Sequence, residues 1–211
     1  MSNVSKAEDK KRIVSAIVAA AKLYKENLVG KTFLYVFNDR YIEVEYLSSG
    51  FRHLTGVDTD LSAKDFYKKA VSGKLWCNQI YFSALHPYRL CEKKIAHIKD
   101  IVGLATSECF MLENVTTDTK SYQFATSDLS FILCMNRRES ENGISKSSKF
   151  TVESLRDEDG FDRATDSFEV THILSKQNDM PLYTDIVWID RNHSIDTLPA
   201  CVAGMVDISD E

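Results

Sequence analysis

Residues 50 to 56 read GFRHLTG, and Arg52, His53 and Thr55 within them are three side chains that could do chemistry together. An imidazole with an ordinary pKa of about 6.5 can give or take a proton around neutrality. A guanidinium presents a fork of N–H groups that fits two oxygens of an anion such as phosphate. The threonine hydroxyl could donate to a further oxygen or orient the histidine, and Gly56 would let the backbone come close to a ligand. The same residue types also suit a purely structural turn. In that reading His53 caps a carbonyl, Thr55 and Gly56 bend the chain, and Arg52 is an exposed charge leaving a strand.

The elements on either side must fix the geometry of this stretch. Ser5 to Glu8 has the form of a capping box, and Ile13, Ile17, Ala20, Tyr24 and Leu28 then recur at helical spacing until Gly30. The segments 31–37 and 40–47 are rich in β-branched and aromatic residues around Asn38-Asp39, which predicts a hairpin. Ser62 and Asp65 open a second helix that stops at Gly73, and Pro87 precedes a third, Tyr88 to about Gly103. The period then changes to two. Strands are expected over 107–115, 121–136, 149–155, 167–174 and 183–190, with a polar exposed loop over 137–148. These elements predict an α+β fold in which N-terminal helices pack on a mainly antiparallel sheet. We read residues 1–211 as a single domain, its core about 10–190, with the acidic C-terminal third a candidate appendage.

The formal net charge is −5 but is unevenly spread: from Phe150 onward there are 14 acidic and 4 basic residues, net −10, which leaves +5 for residues 1–149. Residues 64–99 carry Lys64, Lys68, Lys69, Lys74, Arg89, Lys93, Lys94 and Lys99 against Asp65 and Glu92, a segment that could meet a polyanion or form a solvated lysine face. The five cysteines, 77, 91, 109, 134 and 201, lack the close spacing of a disulfide framework or zinc ribbon, so free or buried thiols are expected. The histidines are too dispersed to predict a metal site, and no cofactor motif such as a phosphate loop or GxGxxG is present. With no long apolar run and a polar start, a cytoplasmic protein without membrane contact is expected.

The run YIEVEYLSSGFRHLTGVDTDLSAKDFYKKAVSGKL, a strand leading into the HLTG turn and then a short helix ending in Gly-Lys, resembles the phage-associated nuclease-like families grouped with barnase, EndoU, colicin and RelE. The N-terminal helix, the basic helix that follows and the aromatic segment Tyr183 to Trp188 agree with it. The resemblance implies helices on an antiparallel sheet and a metal-independent endoribonuclease, a toxin-like effector of phages or mobile elements, with RNA, tRNA or mRNA, as its partner and no cofactor.

Metal-free RNA cleavage uses the neighbouring 2′-OH as nucleophile, so a protein must supply a base, an acid and cations around the developing charge. His53 is the candidate acid or base, with Arg52 and Thr55 beside it. Lys74 and Lys94 could hold the phosphate, Tyr88 and Arg89 could stack on a base and hold a phosphate, and Tyr122, Thr126 and Ser127 could line an open sheet face. Each has a plain alternative: a helix start for Tyr88 and Arg89, and a polar strand edge or bulge for Tyr122 to Asp128. The acidic C-terminal third would repel RNA. It motivates the alternative of a non-catalytic binding protein on the same scaffold that inhibits a host defence or translation component, or a surface for a protein inhibitor or host target.

Overall fold

A computed structural model describes residues 3–139 and 146–208. It opens with α1 (Asn3–Asn27), where Ile13, Ile17, Ala21 and Tyr24 form one buried stripe that Leu28 extends just past its end. The helix starts at Asn3, so the Ser5–Glu8 signal lies inside it rather than at its cap. β1 (Lys31–Phe37) and β2 (Arg40–Glu45) form the expected hairpin, turning through Asn38 and Asp39 with φ of 46° and 55°. Two left-handed residues suit the twist of a tight hairpin.

Seven further strands complete the sheet: β3 (Phe110–Thr116), β4 (Ser121–Ser127), β5 (Ile132–Glu139), β6 (Lys146–Arg156), β7 (Asp166–Glu169), β8 (His172–Gln177) and β9 (Asp185–Ile189). Their order is β7-β3-β4-β5-β6-β2-β1-β8-β9, and every pairing is antiparallel except β2 with β6. This is the α+β class, with a mainly antiparallel sheet. No helix among the described residues is long and apolar enough to cross a membrane.

The sheet curls on itself. β7 and β8 lie toward opposite ends of the order, yet only Val170 and Thr171 separate them in the chain. Val170 N donates to Cys109 O at 3.1 Å, while Thr171 N donates to Val36 O at 2.8 Å, so consecutive residues stitch the two ends together. Phe37 of β1 accordingly meets both Phe124 of β4 and Phe168 of β7 with ring centroids 6.0 Å apart. The main core lies on the side of α1, where Phe33, Tyr35, Phe37 and Tyr46 pack with Met111, Leu133, Phe150 and the helices.

Three expected elements are divided. The segment 121–136 is two strands, because Asp128 accepts the N–H groups of Ser130 (2.9 Å) and Phe131 (3.2 Å) and turns the chain between β4 and β5. The segment 167–174 is broken at the stitch between β7 and β8. The third helix is likewise two, α4 (Tyr88–His97) and α5 (Ile101–Thr106). The polar loop narrows, since β5 reaches Glu139 and β6 begins at Lys146; its middle lies outside the described residues. The acidic C-terminal third supplies β6, seated between β5 and β2, as well as β7, β8 and β9.

The parallel pair β2 and β6 is registered only at Val44 with Phe150 and Glu45 with Thr151. Beyond that point a short helix, α2 (Phe51–Thr55), comes to lie beside β6: a Cβ on Gly50 would sit 3.2 Å from Val152 O. This corner carries the GFRHLTG stretch.

Candidate active site

The sequence builds α2 with two unlike faces. Phe51 and Leu54, three residues apart, are fully buried, and Phe51 packs on Tyr24 and Tyr67 with ring centroids at 5.1 and 5.5 Å. That spacing turns Arg52 and His53 outward. Gly56, at φ +70°, ends the helix in the left-handed conformation that glycine tolerates. Its missing side chain also admits a neighbour, for a Cβ there would lie 2.9 Å from Lys94 Cδ and 3.3 Å from Cys91 Cα. So α4 crosses directly against the end of α2, and Lys94 Nζ donates to His53 O at 3.0 Å.

A second element closes the corner. After α2, Asp58 pairs with Tyr81 through both backbone bonds, N to O at 3.0 Å and O to N at 2.9 Å. The hydroxyl of Ser83 then accepts the N–H groups of Leu85 and His86, both at 3.2 Å, in a turn that leads to Pro87 and α4. That turn sets His86 against Asp58, with Nδ1 2.7 Å from Oδ1. Asp58 Oδ2 is buried with no hydrogen-bond partner among the described residues.

The electrostatics follow from this crowding. Partial burial lowers the His53 pKa below its ordinary value, and the charges of Arg52, Lys94 and His86 push the same way while Glu153 of β6 opposes them. His53 is nonetheless an exposed residue. Burial and the nearby Arg156 bring the Lys94 ammonium down to about 8. Burial alone would raise the Asp58 carboxyl, but Ser83, His86 and Arg52 hold it below the usual range. Arg52 is half-buried, with one long bond of 3.5 Å from Nη1 to Leu61 O.

Arg52, His53 and Lys94 therefore come together, and Asp58, His86 and Glu153 join them although the sequence had not marked these three. Other expected residues are placed elsewhere or spent. Thr55 is fully buried, donating to Arg52 O at 2.7 Å and accepting from Val57 N, so it makes the turn rather than facing a ligand. Ser127 is also buried, its hydroxyl donating to Asp159 O at 2.8 Å. Thr126 Oγ1 is buried without a partner among the described residues. Tyr88 joins α4 to α1: its hydroxyl donates to Glu92 at 2.7 Å, Arg12 donates to it at 3.3 Å, and its pKa is pushed up to about 12, first by burial and then by the Glu92 bond. Tyr122 is in a core cluster with Val115 and Ile132, beneath Lys120 (5.5 Å) and Arg156 (5.8 Å), so it lines no open sheet face. Lys74, past the end of α3 (Ala63–Val71), and Arg89, in the first turn of α4, are exposed and bond to none of the clustered residues.

Beside this corner, Glu153 is held by Lys120 (2.6 Å) and Asn136 (3.1 Å), and Arg156 donates to Thr119 at 2.8 Å. All five cysteines are free, and among the described residues no group of three or more His, Cys, Asp or Glu side chains is set to hold a metal ion.

The chain is thus an α+β protein in which a curled, mainly antiparallel sheet is backed by helices and an exposed histidine stands among cations at the strand-to-helix corner. A family model matches residues 16–192, and the chain belongs to that family, described as phage-Barnase-EndoU-ColicinE5/D-RelE like nuclease4. No curated protein and no solved structure matches the chain.

Proposed function

We propose that the protein is an endoribonuclease of phages or mobile elements that acts in the cytosol and cleaves RNA by attack of the 2′-OH, without a metal. His53 is the proton-transfer residue next to the reacting hydroxyl, and Arg52 and Lys94 flank the phosphate. The observation that carries this reading is the setting of His53: an exposed residue whose pKa is nonetheless lowered by burial and by the charges of Arg52, Lys94 and His86, with Lys94 Nζ on its own carbonyl at 3.0 Å. A neutral imidazole at neutral pH can accept the 2′-OH proton, and the cations that keep it neutral can stabilise the charge gathering on the phosphorane-like centre. Thr55 serves this site by fixing the turn.

The test incubates wild type and His53→Ala with total RNA and a labelled tRNA in EDTA. Cleavage that leaves 2′,3′-cyclic phosphate ends, reduced about 10²- to 10⁴-fold in the variant, is the expected outcome. Equal cleavage by both proteins removes His53 from the mechanism.

One observation favours the second reading, a non-catalytic protein on this scaffold that blocks a host component. Glu108, Glu169 and Asp190 outnumber Arg191 around a cleft of about 490 Å³ that Trp188 also lines, a net-acidic surface suited to basic groups. Recovery of RNA alone, with no protein, on affinity purification from host cells counts against it.

A further inference from the structure

We infer that His86, oriented by Asp58, is the second proton-transfer residue of this site, protonating the 5′-oxygen as it departs; the inference rests on the ribonuclease reading above. A carboxylate can only accept, so the 2.7 Å contact places the hydrogen on His86 Nδ1. The atom left to exchange a proton with a ligand is Nε2, which has no hydrogen-bond partner among the described residues on a side chain 44% exposed. Asp58 is not a casual surface partner. Its backbone is locked to Tyr81, and its pKa is held down by Ser83 as well as by His86 and Arg52, so the carboxylate stays ionised beside the imidazole. An ionised carboxylate behind an imidazole both fixes the tautomer and compensates the charge of the protonated ring. His53 sits on α2 and Asp58 follows shortly after that helix, so the 2.7 Å contact ties His86 to the same corner as His53, and the assignment sets one phosphodiester between the two rings.

The step balances. The O2′–H bond breaks and its proton passes to neutral His53 as O2′ bonds to phosphorus. The P–O5′ bond breaks as protonated His86 gives its Nε2 proton to O5′. The products are a 2′,3′-cyclic phosphate and a 5′-OH, and proton exchange with water restores both rings.

The test uses an oligonucleotide spanning a site mapped in the total-RNA digest, in two forms: the normal bond, and a 5′-bridging phosphorothiolate whose thiolate leaves without protonation. His86→Gln should lose about 10²-fold or more on the normal bond and return to within about tenfold of wild type on the phosphorothiolate. Asp58→Asn, which leaves His86 in place, should show the same rescue as a positioning residue, while His53→Ala should stay impaired on both. A His86→Gln enzyme as active as wild type on the normal bond, or folded variants equally impaired on both bonds, would overturn the assignment. Wild type inert on both would overturn the ribonuclease reading itself.

Discussion

His53 makes a residue-scale prediction that does not depend on knowing the substrate. Its native pKa lies below the ordinary value of about 6.5 because protein crowds it and Arg52, Lys94 and His86 share its surroundings. An NMR titration of the ring should therefore give a midpoint below 6.5, and Arg52→Gln should raise it. Folding favours the neutral ring, so this contribution to stability is lost as pH falls from about 6.5 through the native midpoint. Lys94 sets the opposite limb. With its ammonium lowered to about 8, kcat/KM on RNA should fall above that pH as the phosphate loses a cation, and Lys94→Arg should extend the plateau upward. Arg52, His53 and Lys94 were legible in sequence because a local motif and a basic helix carry them. The Asp58–His86 pair was not, because the two are 28 residues apart and meet through the Asp58–Tyr81 bridge and the Ser83 turn, which leave no periodic trace. Hydroxyls misled for a related reason: Thr55 and Ser127 have carbonyls within reach in the folded chain and spend their donors there.

At the scale of elements, the end of α2 is the tightest joint. Gly56→Ala would place a Cβ at φ +70° and 2.9 Å from Lys94 Cδ, with the α4 backbone at Cys91 behind it. Chemical denaturation should show a loss of about 1 to 3 kcal/mol, and RNA cleavage should fall with it because Lys94 must give way. A second joint ties the chain after β9 back to β8. Buried His172 bonds through Nε2 to Ser194 O at 2.9 Å, and burial, with His193, lowers its pKa despite that bond. Its neutral form is the one folded in, so the wild-type melting temperature should drop as pH falls below about 6.5, and His172→Gln should flatten that slope. Composition found the strands but not their breaks. The run SYQFATSDLSFILCMN reads as one apolar segment until Asp128 is seen gathering the N–H groups of the turn, and SFEVTHIL reads as one strand because the kink at Val170 and Thr171 is imposed by the distant strands that each half joins.

For the whole molecule, the curl of the sheet is the governing feature, and Phe37 is its pin, fully buried between β4 and β7. Phe37→Ala should cost about 3 to 5 kcal/mol in a denaturant titration, more than truncation of a half-buried apolar residue elsewhere. The fold class was legible because helical and strand periods separate cleanly along the chain; the closure was not, since it depends on residues from opposite ends of the sheet meeting. The order of synthesis adds a consequence. α2 is a single turn or so of helix, far too short to persist alone; α1 precedes it in the chain, but α3, α4 and β6, which complete its seat, all leave the ribosome after it. A half-made chain thus carries His53 on a segment that β6 has yet to seat. Translation imposes an interval in which the corner that bears Arg52, His53 and Lys94 exists only in pieces, for it is assembled only after β6 has been made.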